Sequence, residues 1–120
     1  MKNIFLFISV LIVSFQTARG NAPLVVDSAN KTDAAGLKQG HWVVANSDGR
    51  LEGCPADKKV EEGNFVDGKK TGLWVQYYCN GKVKNELTFS NNQPNGYAKF
   101  YYTNGKISEE GLWQNNVWIG

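Results

Sequence analysis

The chain holds one histidine and two cysteines, and nothing in its sequence gathers them into a reactive cluster. His41 with Cys54 and Cys79 falls short of the four ligands of a structural zinc shell, so no metal is assigned. No segment matches a phosphate-cradling glycine loop or a nucleophile elbow. No catalytic residue and no cofactor are therefore expected, and the chain does not read as an enzyme. Long apolar runs are also missing. The longest, Ile4 to Phe15, is 12 residues, too short to cross roughly 30 Å of hydrocarbon as a stable helix. It follows Lys2 and precedes Ala18-Arg19-Gly20, whose small residues fit a cleavage site after Gly20. Residues 1–20 read as a signal peptide, with a retained anchor as the alternative, and the chain as secreted or sent to the cell envelope or periplasm. No cysteine stands near the cleavage site, which disfavours a lipoprotein.

Loss of the leader removes Lys2 and Arg19, so 13 basic side chains fall to 11 against 11 acidic ones. A formally neutral domain has no whole-surface pull toward nucleic acid or anionic lipid. No nucleic-acid partner is expected, and membrane binding after leader removal is disfavoured. What remains is about 100 residues, the size of one domain with a modest core. In an oxidising compartment an even pair of cysteines favours a Cys54–Cys79 bridge over two free thiols.

What the chain has is a repeat. Gly72, Tyr77, Tyr78, Asn80, Gly81, Glu86, Phe89 and Asn91 recur 24 residues on as Gly96, Tyr101, Tyr102, Asn104, Gly105, Glu110, Trp113 and Asn115. An upstream copy is degenerate. Gly40, Trp42 and Gly49 match Gly72, Trp74 and Gly81 at an offset of 32, and Glu62 and Phe65 match Glu86 and Phe89 at 24. Copy one therefore carries about eight extra residues within 51–61, the stretch that holds Cys54.

Each copy has two turn signals. Asp48-Gly49, Asn80-Gly81 and Asn104-Gly105 read as two-residue hairpin turns with positive φ at both positions. Asp67-Gly68, Asn91-Asn92 and Asn115-Asn116 form a second series. The short aromatic and β-branched runs between them suit strands. The fold class is all-β: an antiparallel meander of about three stacked hairpins, near 40–71, 72–95 and 96–120, after a lead-in over 21–35.

Alternation places Trp74, Gln76 and Tyr78 on one face with Ala98, Phe100 and Tyr102, and it groups Val83, Leu87 and Phe89, as it does Ile107, Gly111 and Trp113. Phe89 and Trp113 should be buried between hairpins. Trp74, Tyr78, Phe100 and Tyr102 offer an aromatic face for a ligand, against the plainer reading of ladder packing. Glu62, Glu86 and Glu110 recur once per copy and read as structural partners of neighbouring strands. His41 occupies the slot of Leu73 and Tyr97, a packing or surface position. Asn30-Lys31-Thr32 is an N-glycosylation acceptor pattern, relevant only in a eukaryotic secretory route. Ending at Gly120 should leave Leu112 to Gln114 as an unpaired edge that invites self-association or partner binding.

The units G-L-W-V-Q-Y-Y-C-N-G-K from Gly72 and G-Y-A-K-F-Y-Y-T-N-G-K from Gly96 resemble the MORN repeat, in the variant found in bacterial proteins catalogued as antitoxin-like. The resemblance spans about Gly36 to Gly120 and implies a hairpin ribbon used for binding or scaffolding. It departs from that pattern at the insertion of copy one and at Ala98, where the strand usually carries Trp. The implied function is a module for a protein or peptide partner. Inhibition of a partner protein and lipid-surface binding are the alternatives.

Overall fold

Two kinds of turn alternate along the chain, and together they make a single ribbon of hairpins. In the computed structural model, which describes residues 29–120, the strands are β1 (Lys31–Thr32), β2 (Lys38–Ala45), β3 (Lys59–Val66), β4 (Lys69–Tyr77), β5 (Val83–Ser90), β6 (Gln93–Tyr101), β7 (Ile107–Gln114) and β8 (Val117–Trp118). They form one antiparallel sheet in sequence order. The expected leader, residues 1–20, and part of the lead-in lie outside the described residues. The six long strands make the three expected hairpins, side by side in one layer.

The second turn series is the tight one. Asp67 and Gly68, Asn91 and Asn92, and Asn115 and Asn116 all have positive φ, between 51° and 77°, as a two-residue type I′ turn demands. The first series differs from expectation. Gly81 and Gly105 are left-handed (φ 89° and 93°), but Asn80 and Asn104 are not. Gly81 N–H donates to Tyr78 O and Tyr78 N–H to Lys82 O; Gly105, Tyr102 and Lys106 repeat the arrangement. These are longer loops, a type I turn closed by a left-handed glycine. The cause is in the side chain. Asn80 Oδ1 accepts the Lys82 N–H and Asn104 Oδ1 the Lys106 N–H, both at 2.9 Å. An Asx turn of this kind holds Asn in its ordinary region and leaves the positive φ to glycine alone.

Each hairpin junction carries an irregularity at the same place. Between β3 and β4 the pairing jumps from Glu62↔Val75 to Asn64↔Thr71, and between β5 and β6 from Leu87↔Ala98 to Phe89↔Pro94. Gly72 and Gly96 sit in these bulges with φ of 70° and 117°. A left-handed residue in mid-strand is what the recurring glycine supplies. A second bulge sets Val83 opposite Tyr77 and Ile107 opposite Tyr101. Strict alternation fails there, and those two residues leave the company of Leu87 and Gly111.

The C-terminal edge is also not as expected. Leu112 to Gln114 is paired: Trp113 faces Trp118, Gln114 faces Val117, and Ile119 N–H donates to Leu112 O at 2.7 Å. The backbone of Gly120 lies over Gly111, 2.3 Å from where a Cβ would stand. The terminal residues fold back as a short strand and cover β7, so the edge belongs to β8, which is only two residues long.

Candidate functional site

A single-layer sheet has two faces, and here they differ in chemistry. One face gathers tryptophan and phenylalanine. Trp42 and Phe65 meet edge to face with ring centroids 5.8 Å apart, Phe65 and Trp74 at 5.0 Å, and Trp74 and Phe89 at 6.5 Å. Trp118 closes the far end against Phe100 and Trp113. Lys38 Nζ lies over Trp42 and Phe65, and Lys70 Nζ over Trp74 and Phe89, at 4.4–5.1 Å from the centroids. A cation so placed caps the rings while its stem covers them. Lys70 also pairs with Glu61, which is buried and takes Arg50 on its other oxygen at 3.3 Å.

Of the four residues expected to form an aromatic binding face, Trp74 is unavailable. It is 1% exposed, its ring lies against Gly63, and its Nε1–H donates to Asn64 O at 3.0 Å. Tyr78 is half-buried, with its hydroxyl donating to Tyr101 O at 2.7 Å. Phe100 is half-buried against Trp118. Tyr102 is exposed. The four are not one open platform, because the Trp face folds its largest rings onto neighbouring backbone. Phe89 and Trp113, expected to be fully buried, are half-buried on this same face. A one-layer sheet has no second layer to cover them.

The other face carries tyrosine, glutamate and the aliphatic residues. Tyr77 donates to Glu62 at 3.1 Å, Tyr97 to Glu110 at 2.6 Å, and Tyr101 to Glu86. The recurring glutamates thus accept tyrosine hydroxyls from neighbouring strands. Burial pushes the Glu62 carboxyl upward, but the Lys59 ammonium, the Tyr77 hydroxyl and nearby His41 outweigh it and leave the group below its ordinary value. His41 Nε2 is 3.8 Å from Glu62 Oε1.

The tyrosines answer in the opposite sense. The hydrogen bond to Glu86, with burial behind it, pushes the Tyr101 phenol up to about 12. The hydrogen bond to Glu110 raises Tyr97 from the ordinary 10.0, and burial followed by the bond to Glu62 raises Tyr77. A raised folded value stabilises the fold fully below the unfolded phenol's pKa and loses that contribution as pH climbs through the folded one. The hydroxyl–carboxylate bonds should therefore begin to weaken above pH 10, with Tyr101 ionising last. Following phenolate absorbance against pH should show this late step. Glu86→Gln should move it down toward 10, and an unchanged late step would remove Glu86 as its cause.

Beside the Tyr–Glu rows runs an exposed apolar band. Leu73 faces Thr88, and Tyr97 faces Leu112, which Ile119 flanks. Val66, opposite Lys69, and Val117, opposite Gln114, extend it toward the tight turns. Val66, Leu73, Tyr97, Leu112, Val117 and Ile119 are each 47–57% exposed. Sequence reading left the slot of Leu73 and Tyr97 as a packing or surface position. The signal was present: the slot admits His41, Leu73 and Tyr97 alike, so it is not shaped by packing.

At the loop edge Cys54 and Cys79 form a disulfide with Cα atoms 5.8 Å apart. The insertion of copy one leans across to reach the second hairpin. Its organiser is Asn46, 2% exposed, in the slot of Tyr78. Its Nδ2 donates to Leu51 O and Cys54 O, and its Oδ1 accepts the Leu51 N–H, all at 2.9–3.0 Å. Asn30 is exposed, and its carboxamide brackets Val43, donating to the carbonyl at 2.9 Å and accepting the N–H at 2.7 Å. A glycan on Nδ2 would leave one N–H for that bond.

Left-handed glycine, tyrosine pair and Asn-Gly loop recur in the second and third hairpins, and the family described as MORN repeat variant matches there, at residues 70–91 and 94–115. Residues 70–91 and 94–115 are two adjacent repeats of this type. No curated protein and no solved structure matches the chain. The two matched MORN repeats are the second and third hairpins; the first, with its insertion, continues the same sheet. Among the described residues no three His, Cys, Asp or Glu side chains are grouped to hold a metal ion, and no helix is long and apolar enough to cross a membrane. MORN repeats are a binding and scaffolding module, and that is the level at which family and fold agree.

Proposed function

We propose that this protein is an exported, non-enzymatic module that binds a protein partner through its Tyr–Glu face. The observation that carries the reading is the distribution of exposed apolar side chains. Val66, Leu73, Tyr97, Leu112, Val117 and Ile119 lie together on that face, while the Trp face folds its rings inward. Exposed apolar area gathered on one face and rimmed by polar groups is a feature of interaction surfaces. Glu62, Glu86 and Glu110 form that rim and are held in place by tyrosine hydroxyls. Fixed acceptors beside an apolar strip suit a partner segment that brings aliphatic side chains and hydrogen-bond donors. Export is supported by the N-terminal pattern and by the disulfide, which persists in oxidising compartments.

The test compares the secreted wild type with Leu73→Asp/Leu112→Asp, both checked for intact sheet by circular dichroism. Bait capture from the protein's own extracellular fraction should return a partner for the wild type and lose it with the double variant. Equal capture by both would move the binding site off this face. Pelleting with anionic vesicles, abolished by salt, would favour lipid-surface binding. Loss of a bound protein's activity on capture would favour the inhibitor reading.

A further inference from the structure

The MORN repeat supplies an internal comparison that points to a site of covalent modification. Asn80-Gly81-Lys82 and Asn104-Gly105-Lys106 are the same tripeptide in the same loop of successive repeats. We propose that Asn104 is a site of spontaneous deamidation and that Asn80 is protected by the fold.

The chemistry needs only the chain and water. The Gly105 nitrogen attacks Asn104 Cγ, so that a C–N bond forms and the Cγ–Nδ2 bond breaks. The displaced amide leaves as ammonia, taking the proton of the Gly105 N–H. Water then opens the five-membered imide at one carbonyl or the other, giving aspartate or isoaspartate at 104. Glycine at the following position leaves the attacking nitrogen unhindered by a Cβ.

The contacts around the two loops are partly alike and partly different. Both glycine N–H groups donate to a tyrosine carbonyl at 2.9 Å, and both Asn Oδ1 atoms accept a lysine N–H at 2.9 Å. Those restraints are equal and slow both sites relative to an unfolded chain. The first difference is Nδ2, the leaving group. On Asn80 it donates to Thr103 O at 3.2 Å, across to the next hairpin. On Asn104 it has no hydrogen-bond partner among the described residues. The second difference is a cation. Lys82 Nζ lies 4.0 Å from where a Cβ of Gly105 would stand, and Gly81 has no neighbour within that distance. An ammonium on the Gly105 side of the loop favours the negative charge that develops as the nitrogen attacks. The disulfide at Cys79 adds further restraint next to Asn80.

The product changes the loop edge. It puts a carboxylate in the loop that Lys82 approaches, and the isoaspartyl form lengthens the main chain by one atom within the turn that joins β6 to β7.

The experiment incubates the full chain at mildly alkaline pH, once folded and once reduced in denaturant, and maps both tripeptides by mass over time. In the folded protein Asn104 should convert about fivefold faster than Asn80, the ratio set by one neutral hydrogen bond of about 1 kcal/mol. In denaturant the two rates should converge and both should rise. Asn104→Gln should abolish the fast product, because its ring would have to be six-membered. Equal rates in the folded state, or Asn80 ahead, would overturn the proposal. So would a denatured ratio as large as the folded one, since the difference would then come from local sequence.

Discussion

Trp74→Ala should destabilise the domain by about 3–5 kcal/mol, and adding Gly63→Leu to it should recover part of the loss. Trp74 is the most completely buried large side chain of the described residues. Its ring is 2.3–2.5 Å from where a Cβ on Gly63 would stand, so the two positions are sterically exclusive. Gly63→Leu alone should therefore be severe, beyond the roughly 1–3 kcal/mol usual for overpacking, because the obstacle is a ring held by its Nε1–H bond to Asn64 O. The next repeat has already made the exchange. Its equivalent positions are Leu87 and Ala98, directly paired, with Ala98 fully buried. Large on one strand with small on the other fills the volume in either order. Denaturant unfolding of wild type, both single variants and the double variant measures the coupling. The double should be more stable than the sum of the singles predicts by about 1–3 kcal/mol. Strictly additive losses would mean that the two sites do not share a volume.

That exchange also shows where sequence reading stopped. Ala98 in a tryptophan slot reads as a departure from the pattern, and the repeat count alone gives Gly63 at the position of Leu87 no meaning. Only the register between strands shows that each explains the other. The period, the hairpins and the tight turn series were legible, because Asn and Gly at left-handed positions and alternating apolar residues are local signals. The bulges at Gly72 and Gly96 were visible as recurring glycines but not as irregularities, since a repeat count records identity and not φ. The loop series was misread for a related reason. Asn-Gly is a type I′ signal, but here the Asn side chain accepts the lysine N–H two residues on and selects a longer loop. Trp74 was left between an open aromatic face and ladder packing because alternation gives a side but not the direction in which a ring lies. The C-terminal strand was missed because Val117-Trp118 is too short to show any period. The apolar band emerged only with exposure, for Leu73 and Tyr97 are also reasonable core residues on composition alone.

Opening the disulfide should cost stability without unfolding the insertion that carries it. The bridge closes a sequence separation of 25, for which loop entropy gives about 3.5 kcal/mol. Against the roughly 5–15 kcal/mol of an ordinary domain, that is a large share. The insertion has other restraints in the native state. Asn46 ties Leu51 and Cys54 to the end of β2 through three hydrogen bonds, and Cys54 N–H donates to Leu51 O at 3.1 Å. Glu61 draws Arg50 inward at 3.3 Å. The bridge therefore acts mainly on the unfolded chain, which it shortens, and little on the folded loop. Cys54→Ser/Cys79→Ser should lower the guanidinium midpoint and leave the native circular dichroism unchanged. Asn46→Ala should act the other way round. It strands Cys54 O and the Leu51 N–H, costs about 1–3 kcal/mol for buried groups without partners, and loosens the loop even with the disulfide intact. Hydrogen exchange over residues 46–58 separates the two: faster exchange at native conditions for Asn46→Ala, near wild-type rates for the double serine variant. If the serine variant alone frees the loop, the bridge and not Asn46 is its organiser. If the midpoint does not move, or two cysteines alkylate in the unreduced denatured protein, the bridge contributes nothing to the fold.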